Sequence, residues 1–205
     1  MSPDPRRFVP DLIRWEGETS WMYRDSGVAG LVTIGIGNML PDADAAVKLP
    51  FVTADPGGLR PSTEAEVRDD YARVLSMPPG LLAARYRSPH AVELLAAHVE
   101  DLAASRLAIE FLPGLRHLCP DFDSFPAPAQ SALVDIAWNV GIGAPSTPVR
   151  RATGLCGFPT MLRYCNQRRW ADAALECHRG PPVRVERNDW TRSKFLEASQ
   201  TVTVA

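Results

Sequence analysis

The spacing of apolar residues predicts helices over most of the chain. Within residues 8–18 the main apolar side chains are Phe8, Leu12, Ile13 and Trp15. This spacing places them on one face of a helix. Further helices are predicted over residues 91–110, 129–140, 158–166, 169–178 and 186–199. The segment 129–140 is apolar at nearly every position, apart from Asp135 and Asn139, which indicates a helix buried on all sides.

One stretch near the start of the chain has the pattern of strands instead. Residues 21–38 are interrupted by Gly27, Gly30, Gly35 and Gly37. Between these glycines, residues 31–34 are aliphatic or β-branched, as strand residues commonly are. The segment therefore predicts a small hairpin or meander.

The segment that follows predicts a loop and then a helix. Residues 39–61 are rich in proline and aspartate, which favours a loop with one short helix. Thr63 and Glu66 have the spacing of a capping box, so a helix should run from there to about Leu75. The expected fold class is α+β, mostly α, with a small antiparallel sheet.

Composition and charge exclude several classes of protein. The 205 residues are 45% apolar, and 22 Lys and Arg stand against 24 Asp and Glu. This content is too apolar for a disordered chain, and the formal charge of −2 gives no attraction to nucleic acid or an anionic membrane. The sequence contains no run of about 18 apolar residues, so it predicts no membrane span. The first ten residues lack the pattern of a signal peptide, so we expect synthesis in the cytoplasm.

The four cysteines do not indicate a metal site. They are Cys119, Cys156, Cys165 and Cys177. Their spacing contains no CxxC pair, which disfavours zinc or a redox motif. Buried free thiols are the simplest expectation, and one or two disulfides remain an alternative in an oxidising compartment.

Candidate chemistry concentrates in residues 16–38. Glu16 ends the first predicted helix, Asp25 lies at the entry to the hairpin, and Thr33 lies on its return strand. Two carboxylates on separate elements, facing one gap, are what glycosidic hydrolysis requires, and a threonine hydroxyl nearby can hold the attacking water. On spacing alone, caps, ion pairs and turns are the commoner roles of such acids.

This segment resembles the active-site segment of the phage-type lysozymes, the T4-lysozyme-like muramidases of glycoside hydrolase family 24. The shared pattern is Glu16-x8-Asp25-x7-Thr33, continued by Ile-Gly-Ile-Gly. Residues 62–66, 132–141, 169–174 and 185–195 resemble later blocks of the family in the same order. The chain departs from the family pattern at Asn38, where histidine is frequent, at Asn188, which replaces an arginine, and at Thr191, which replaces a glutamate.

The resemblance implies a fold and a set of roles. The fold would be one lysozyme-like domain: an N-terminal lobe over 1–62, a linking helix over 63–90 and a helical lobe over 91–205, with a cleft between the lobes. Glu16 would be the general acid, Asp25 would orient or activate the attacking water, and Thr33 would help to place it. The reaction would be inverting hydrolysis of the β-1,4 bond between N-acetylmuramic acid and N-acetylglucosamine in peptidoglycan.

The expected substrate contacts come from both halves of the chain. The resemblance implies that Asn139 holds sugar and that Arg187 lies near the general acid. Tyr23 and Trp21 are candidates because they belong to the same hairpin segment as Asp25. The expected protein is a monomer that binds peptidoglycan glycan strands and uses no metal or cofactor.

Alternatives to this activity, and two possible settings for it, remain at this point. The chain could be a wall-binding module without hydrolysis, or a lytic transglycosylase. Its setting could be that of a phage endolysin, or of an antibacterial effector delivered by a secretion system and opposed by an immunity or inhibitor protein. The lack of a signal peptide and the acidic pI of about 6.1 motivate the effector hypothesis. In either setting the protein would act in the periplasm or cell wall.

Overall fold

The fold class predicted from the sequence is confirmed. A computed structural model describes residues 2–25 and 30–201. The protein is 55% helical, with one three-stranded and one two-stranded antiparallel sheet, which makes it α+β and mostly α. Gly27, one of the glycines that predicted the hairpin, lies outside the described residues. Within the described ranges, no helix is both long and apolar enough to cross a membrane.

The chain forms two compact units. The helical unit comprises Met1–Trp15 and Ser105–Ala205, and the sheet unit comprises Glu16–Ala104. The first helix therefore groups with the C-terminal helices rather than with the sheet. The sheet unit in turn extends well beyond residue 62, the expected end of the N-terminal lobe.

Three strands carry the segment with the candidate chemistry. They are β1 (Thr19–Arg24), β2 (Val32–Gly35) and β3 (Asn38–Leu40), which pair antiparallel in that order. This arrangement confirms the predicted meander. Gly35 and Gly37 have φ values of 66° and 74° around the β2–β3 turn, a conformation that residues with a Cβ rarely adopt. The Gly-x-Gly pattern is thus explained by turn geometry.

A second hairpin was missed by the sequence prediction. The expected short helix is present as α2 (Ala43–Ala46), but it is followed by β4 (Val52–Asp55) and β5 (Gly58–Pro61). Asp55 Oδ1 accepts a hydrogen bond from Gly57 N at 2.9 Å, and Gly58 has a φ of 117°. The Asp-Pro-Gly-Gly sequence therefore forms a tight hairpin turn rather than an open loop.

Helix α3 (Glu64–Ser76) begins where the capping box predicts. Thr63 N donates to Glu66 Oε2 at 2.8 Å, and Glu66 N donates to Thr63 Oγ1 at 3.3 Å. The helix ends before Pro78, because a residue that precedes proline disfavours the helical conformation. It therefore fills only the first half of the linking helix expected over 63–90.

The helix predicted over 91–110 begins later and continues further. Glu93 pairs with Val52 through two backbone hydrogen bonds of 2.9 and 2.8 Å, which holds its neighbours in an extended conformation. Helix α4 (Ala96–Arg106) starts after this contact and leads through a π-helical turn, Leu107–Phe111, into α5 (Leu112–Leu118). Pro113 has no N–H to donate, which accounts for the wider turn before it.

The remaining helices complete the helical unit, to which α5 also belongs. They are α1 (Val9–Glu16, whose last residue belongs to the sheet unit), α6 (Ala127–Val140), α7 (Pro159–Asn166), α8 (Trp170–Glu176) and α9 (Val185–Thr201). Helix α6 packs against α9 and is buried along most of its length, as its sequence predicts. All four cysteines are free and buried.

Candidate active site

The three predicted catalytic residues all belong to the sheet unit. Glu16 ends α1, three residues before β1 begins, and Asp25 directly follows β1. Thr33 lies on β2, where it pairs with Tyr23 of β1. Asp25 N donates to Leu31 O at 3.2 Å, which extends the pairing of the two strands by one residue. The β1–β2 ladder therefore fixes Asp25 and Thr33 relative to each other.

Tyr23 connects this ladder to both carboxylates. Its side chain is half-buried, and its pKa is raised to about 12, first by burial and then by the negative charges of Asp25 and Glu16. The Tyr23 phenol therefore feels the charges of both carboxylates, since Coulomb interactions weaken with distance. The Tyr23 hydroxyl therefore stays protonated, and able to donate a hydrogen bond, throughout the ordinary pH range.

The exposure of the three residues differs. Glu16 and Asp25 are exposed, whereas Thr33 is only 1% exposed. Thr33 Oγ1 donates to Leu31 O at 3.2 Å, the same carbonyl that accepts from Asp25 N. The structure thus gives Thr33 a contact that steadies the backbone beside Asp25, a role that the sequence prediction did not include.

Trp21 is held by contacts with the segment 83–93. Its Nε1 donates to Ala83 O at 2.8 Å, and the Arg87 guanidinium lies 4.7 Å from the centre of its ring. Arg87 is itself paired with Glu93 at 2.7 Å. One face of the indole is therefore covered, so Trp21 is not a bare aromatic platform for sugar stacking.

The other two predicted substrate contacts lie in the helical unit. Arg187 is buried, and its Nε and Nη2 lie 2.9 and 2.8 Å from Asp135 Oδ1. Asn139 is half-buried near the end of α6, with its Oδ1 3.5 Å from Arg179 Nη1. Within this unit both residues belong to a polar network around Asp135.

Two arginines share the Asp135 carboxylate. The residue is 1% exposed, and its Oδ2 lies 2.8 Å from Arg179 Nη2 and 2.9 Å from Thr191 Oγ1. Thr191 Oγ1 also accepts from Arg179 Nη2 at 2.6 Å. Burial lowers the pKa of Arg179, while the charge of Asp135 acts in the opposite direction. The carboxylate is fully enclosed by its partners, which is the arrangement that a buried charge requires.

Arg179 also contacts two of the residues at which the sequence differs from the motif that it resembles. Asn188 Oδ1 accepts from Arg179 N at 3.1 Å and from its Nε at 3.3 Å, and Asn188 Nδ2 donates to Arg179 O at 2.8 Å. Thr191, the other departure, contacts the same guanidinium. The sequence prediction missed Arg179 and Asp135, although Asp135 is the one charged residue in the apolar sequence of α6.

In the part of the chain that the structure describes, no group of three or more His, Cys, Asp or Glu side chains is arranged to hold a metal ion. Compared with models of known protein families and with curated proteins, the chain matches none. The resemblance to the family 24 muramidases therefore depends on the motif residues themselves.

Proposed function

We propose that this protein is a muramidase, a glycoside hydrolase of the T4-lysozyme-like type that cleaves the β-1,4 bond between N-acetylmuramic acid and N-acetylglucosamine in peptidoglycan. The observation that carries the proposal is the shared surroundings of Glu16, Asp25 and Tyr23 beside Thr33. Two exposed carboxylates, one at the end of a helix and one at the end of a strand, suit the two proton transfers that glycoside hydrolysis requires.

The chemistry would divide between the two acids. Glu16, in its protonated form, donates its proton to the glycosidic oxygen as the bond from that oxygen to the anomeric carbon breaks. Asp25 accepts a proton from a water molecule that attacks the anomeric carbon on the opposite face. The products are a new reducing end of inverted configuration and a free hydroxyl on the next sugar. Inversion requires carboxylates about 6.5–9.5 Å apart, so that a water fits between them and the sugar.

Tyr23 and Thr33 would support this reaction without exchanging protons in it. The neutral phenol of Tyr23 offers a hydrogen-bond donor within the electrostatic reach of both carboxylates. Thr33 would act on the reaction indirectly. Its hydroxyl donates a hydrogen bond to Leu31 O, and the same oxygen accepts a hydrogen bond from the backbone N–H of Asp25. A small shift of that backbone would misplace the base, and errors of about 1 Å can lower a rate about a hundredfold.

The setting that we propose is the periplasm or cell wall, reached by release from a lysing cell or by secretion-system delivery. The net charge of −2 gives little long-range attraction to an anionic wall polymer. Recognition would therefore depend on short-range contacts at the site. An immunity or inhibitor protein that covers Glu16 and Asp25 is the partner expected if the protein is an effector.

The chemical identity of the digestion products tests the proposed reaction. Purified peptidoglycan is incubated with the protein, and the soluble fragments are analysed by mass spectrometry and by NMR of the new anomeric centre. We expect reducing N-acetylmuramic acid ends of inverted configuration. Anhydro-muramic ends would indicate a lytic transglycosylase, cut stem peptides would indicate a peptidase, and binding with no new ends would indicate a wall-binding module. Each of these three results would overturn the proposal.

A further inference from the structure

The chain between α6 and α7 folds back on itself as a ribbon of two arms, residues 144–153. At its base, Thr153 N donates to Ala144 O at 3.0 Å, and Ala144 N donates to Thr153 Oγ1 at 3.1 Å. Near its tip, Thr147 and Arg150 exchange two backbone hydrogen bonds of 2.8 and 3.2 Å. The two residues between them form a tight turn, so the ribbon is a hairpin rather than an open loop.

The ribbon is anchored to the helical unit just before and just after these residues. A Cβ on Gly143 would lie 1.9 Å from Thr153 O, so the two arms approach this closely only because residue 143 is a glycine. Leu155 N then donates to Gly141 O at 2.8 Å, directly after the end of α6. The helical unit therefore presents the turn of the ribbon in a defined conformation.

The turn exposes one apolar side chain and two cations. All residues from 143 to 151 are exposed, and Val149, in the turn itself, is 96% exposed. Arg150 and Arg151 follow it directly in the sequence. Within residues 2–25 and 30–201, neither of the two guanidinium groups has a hydrogen-bond or ion-pair partner. The fold does not use these three side chains, so all three are available to a partner.

Positive charge is concentrated in this part of the chain. The segment from 136 to 171 contains five arginines and neither aspartate nor glutamate. The helical unit has 15 Lys and Arg against 11 Asp and Glu, whereas the sheet unit has 7 against 13. The formal charge of −2 thus combines a helical unit of +4 with a sheet unit of −6. Since salt screens charges beyond about 10 Å, the local charge decides what the ribbon attracts.

We propose that the ribbon docks on an anionic lipid surface, with Val149 inserted among the headgroups and with Arg150 and Arg151 against lipid phosphates. Such a surface accommodates both parts of the tip, because apolar side chains enter the boundary below the headgroups while guanidinium groups pair with phosphates. Nucleic acid and anionic wall polymers offer negative charge alone and would leave Val149 in water. The proposal does not depend on the reaction proposed at Glu16.

Vesicle flotation tests the docking. The full chain is mixed with vesicles of phosphatidylcholine, or of phosphatidylcholine and phosphatidylglycerol in equal amounts, and we expect binding to the anionic vesicles only. The double variant Arg150→Gln/Arg151→Gln should bind about 20-fold more weakly, since each basic residue near such a surface strengthens binding about fivefold. Val149→Ser should weaken binding about fivefold, because the tip then loses its apolar group. No binding to anionic vesicles would overturn the proposal.

A matched variant separates the ribbon from the net charge. Lys48→Gln/Arg85→Gln removes the same amount of charge from exposed positions of the sheet unit, and it should bind as the wild type does. All these variants alter exposed side chains, so each should keep the wild-type melting temperature. An equal loss of binding in the sheet-unit variant would show that the ribbon is not the docking site.

A fluorescent label tests whether the tip enters the lipid. The four native cysteines are buried, so an NBD label can be directed to an exposed thiol in Val149→Cys. With anionic vesicles its emission should move to shorter wavelength and become brighter, whereas duplex DNA should leave it unchanged. An unshifted label on bound vesicles would contradict insertion of the tip. Binding to DNA through Arg150 and Arg151, without binding to vesicles, would identify a nucleic-acid contact and overturn the lipid proposal.

Discussion

The two units of this protein use carboxylates in opposite ways. In the helical unit, Asp135 is buried and enclosed by Arg179, Arg187 and Thr191. In the sheet unit, Glu16 and Asp25 are exposed beside the half-buried Tyr23. The chemical group is the same, but only the exposed pair can meet a substrate and exchange protons with water.

This difference separates a stabilising role from a chemical one. A buried carboxylate that is enclosed by its ion pairs supports the packing of α6 against α9, and its removal would take away the negative charge that two buried cations share. An exposed carboxylate adds little to stability, because solvent screens its interactions. We therefore expect substitutions at Asp135 to act on folding, and substitutions at Glu16 or Asp25 to act on the reaction.

The largest effect on stability is expected from Asp135→Asn. The change keeps the shape of the side chain but removes the negative charge that Arg179 and Arg187 share. The free energy of unfolding, measured by urea denaturation, should fall by about 3–5 kcal/mol. Glu16→Gln also removes one carboxylate charge, and it should change the free energy of unfolding by less than about 0.5 kcal/mol. Equal losses in the two variants would contradict the division of roles.

A smaller loss is expected from Arg179→Met. The change removes one of the two cations that pair with Asp135, and it leaves Asn188 Oδ1 without its partner. The free energy of unfolding should fall by about 1–3 kcal/mol. In the double variant with Asp135→Asn the losses should be less than additive by at least about 0.5 kcal/mol, because the residues belong to one network. Strict additivity in urea denaturation would show that Arg179 and Asp135 do not stabilise each other.

The smallest expected effect concerns Tyr23 at alkaline pH. The raised pKa means that the folded protein keeps the phenolic proton above pH 10, where the unfolded chain releases it. Stability should therefore fall as pH rises from about 10 towards 12. Urea denaturation of wild type and Tyr23→Phe at pH 8, 10 and 11 measures the effect. The variant should lose less stability over this range, and an identical fall in both proteins would argue against a proton held on Tyr23.

Local sequence patterns predicted the elements that depend on local interactions. The apolar spacing located α1 and α6 to α9, and the Thr63–Glu66 capping box located the start of α3. The extended conformation around Glu93 and the β4–β5 hairpin were not predicted. Glu93 is held by Val52, about forty residues earlier in the chain, and no local pattern encodes that contact.

The same contrast between local and distant contacts applies to the polar residues of the two units. Glu16, Asp25 and Thr33 lie close in sequence, and one motif contains all three. The network of Asp135 was missed because Arg179 and Thr191 lie about fifty residues away and approach it only when α9 packs on α6. Arg187 pairs with Asp135 within the helical unit, and its expected role at the substrate stays a prediction.

The central claim is that Glu16 donates a proton in glycan cleavage, and a matched pair of variants tests it most directly. Glu16→Gln and Glu18→Gln each replace an exposed glutamate, two positions apart, with its amide. The rate at which purified peptidoglycan loses turbidity and releases reducing ends is measured for both. We expect Glu16→Gln to lower the rate by about 10²–10⁴-fold while Glu18→Gln keeps the wild-type rate. Wild-type hydrolysis by Glu16→Gln would contradict the account.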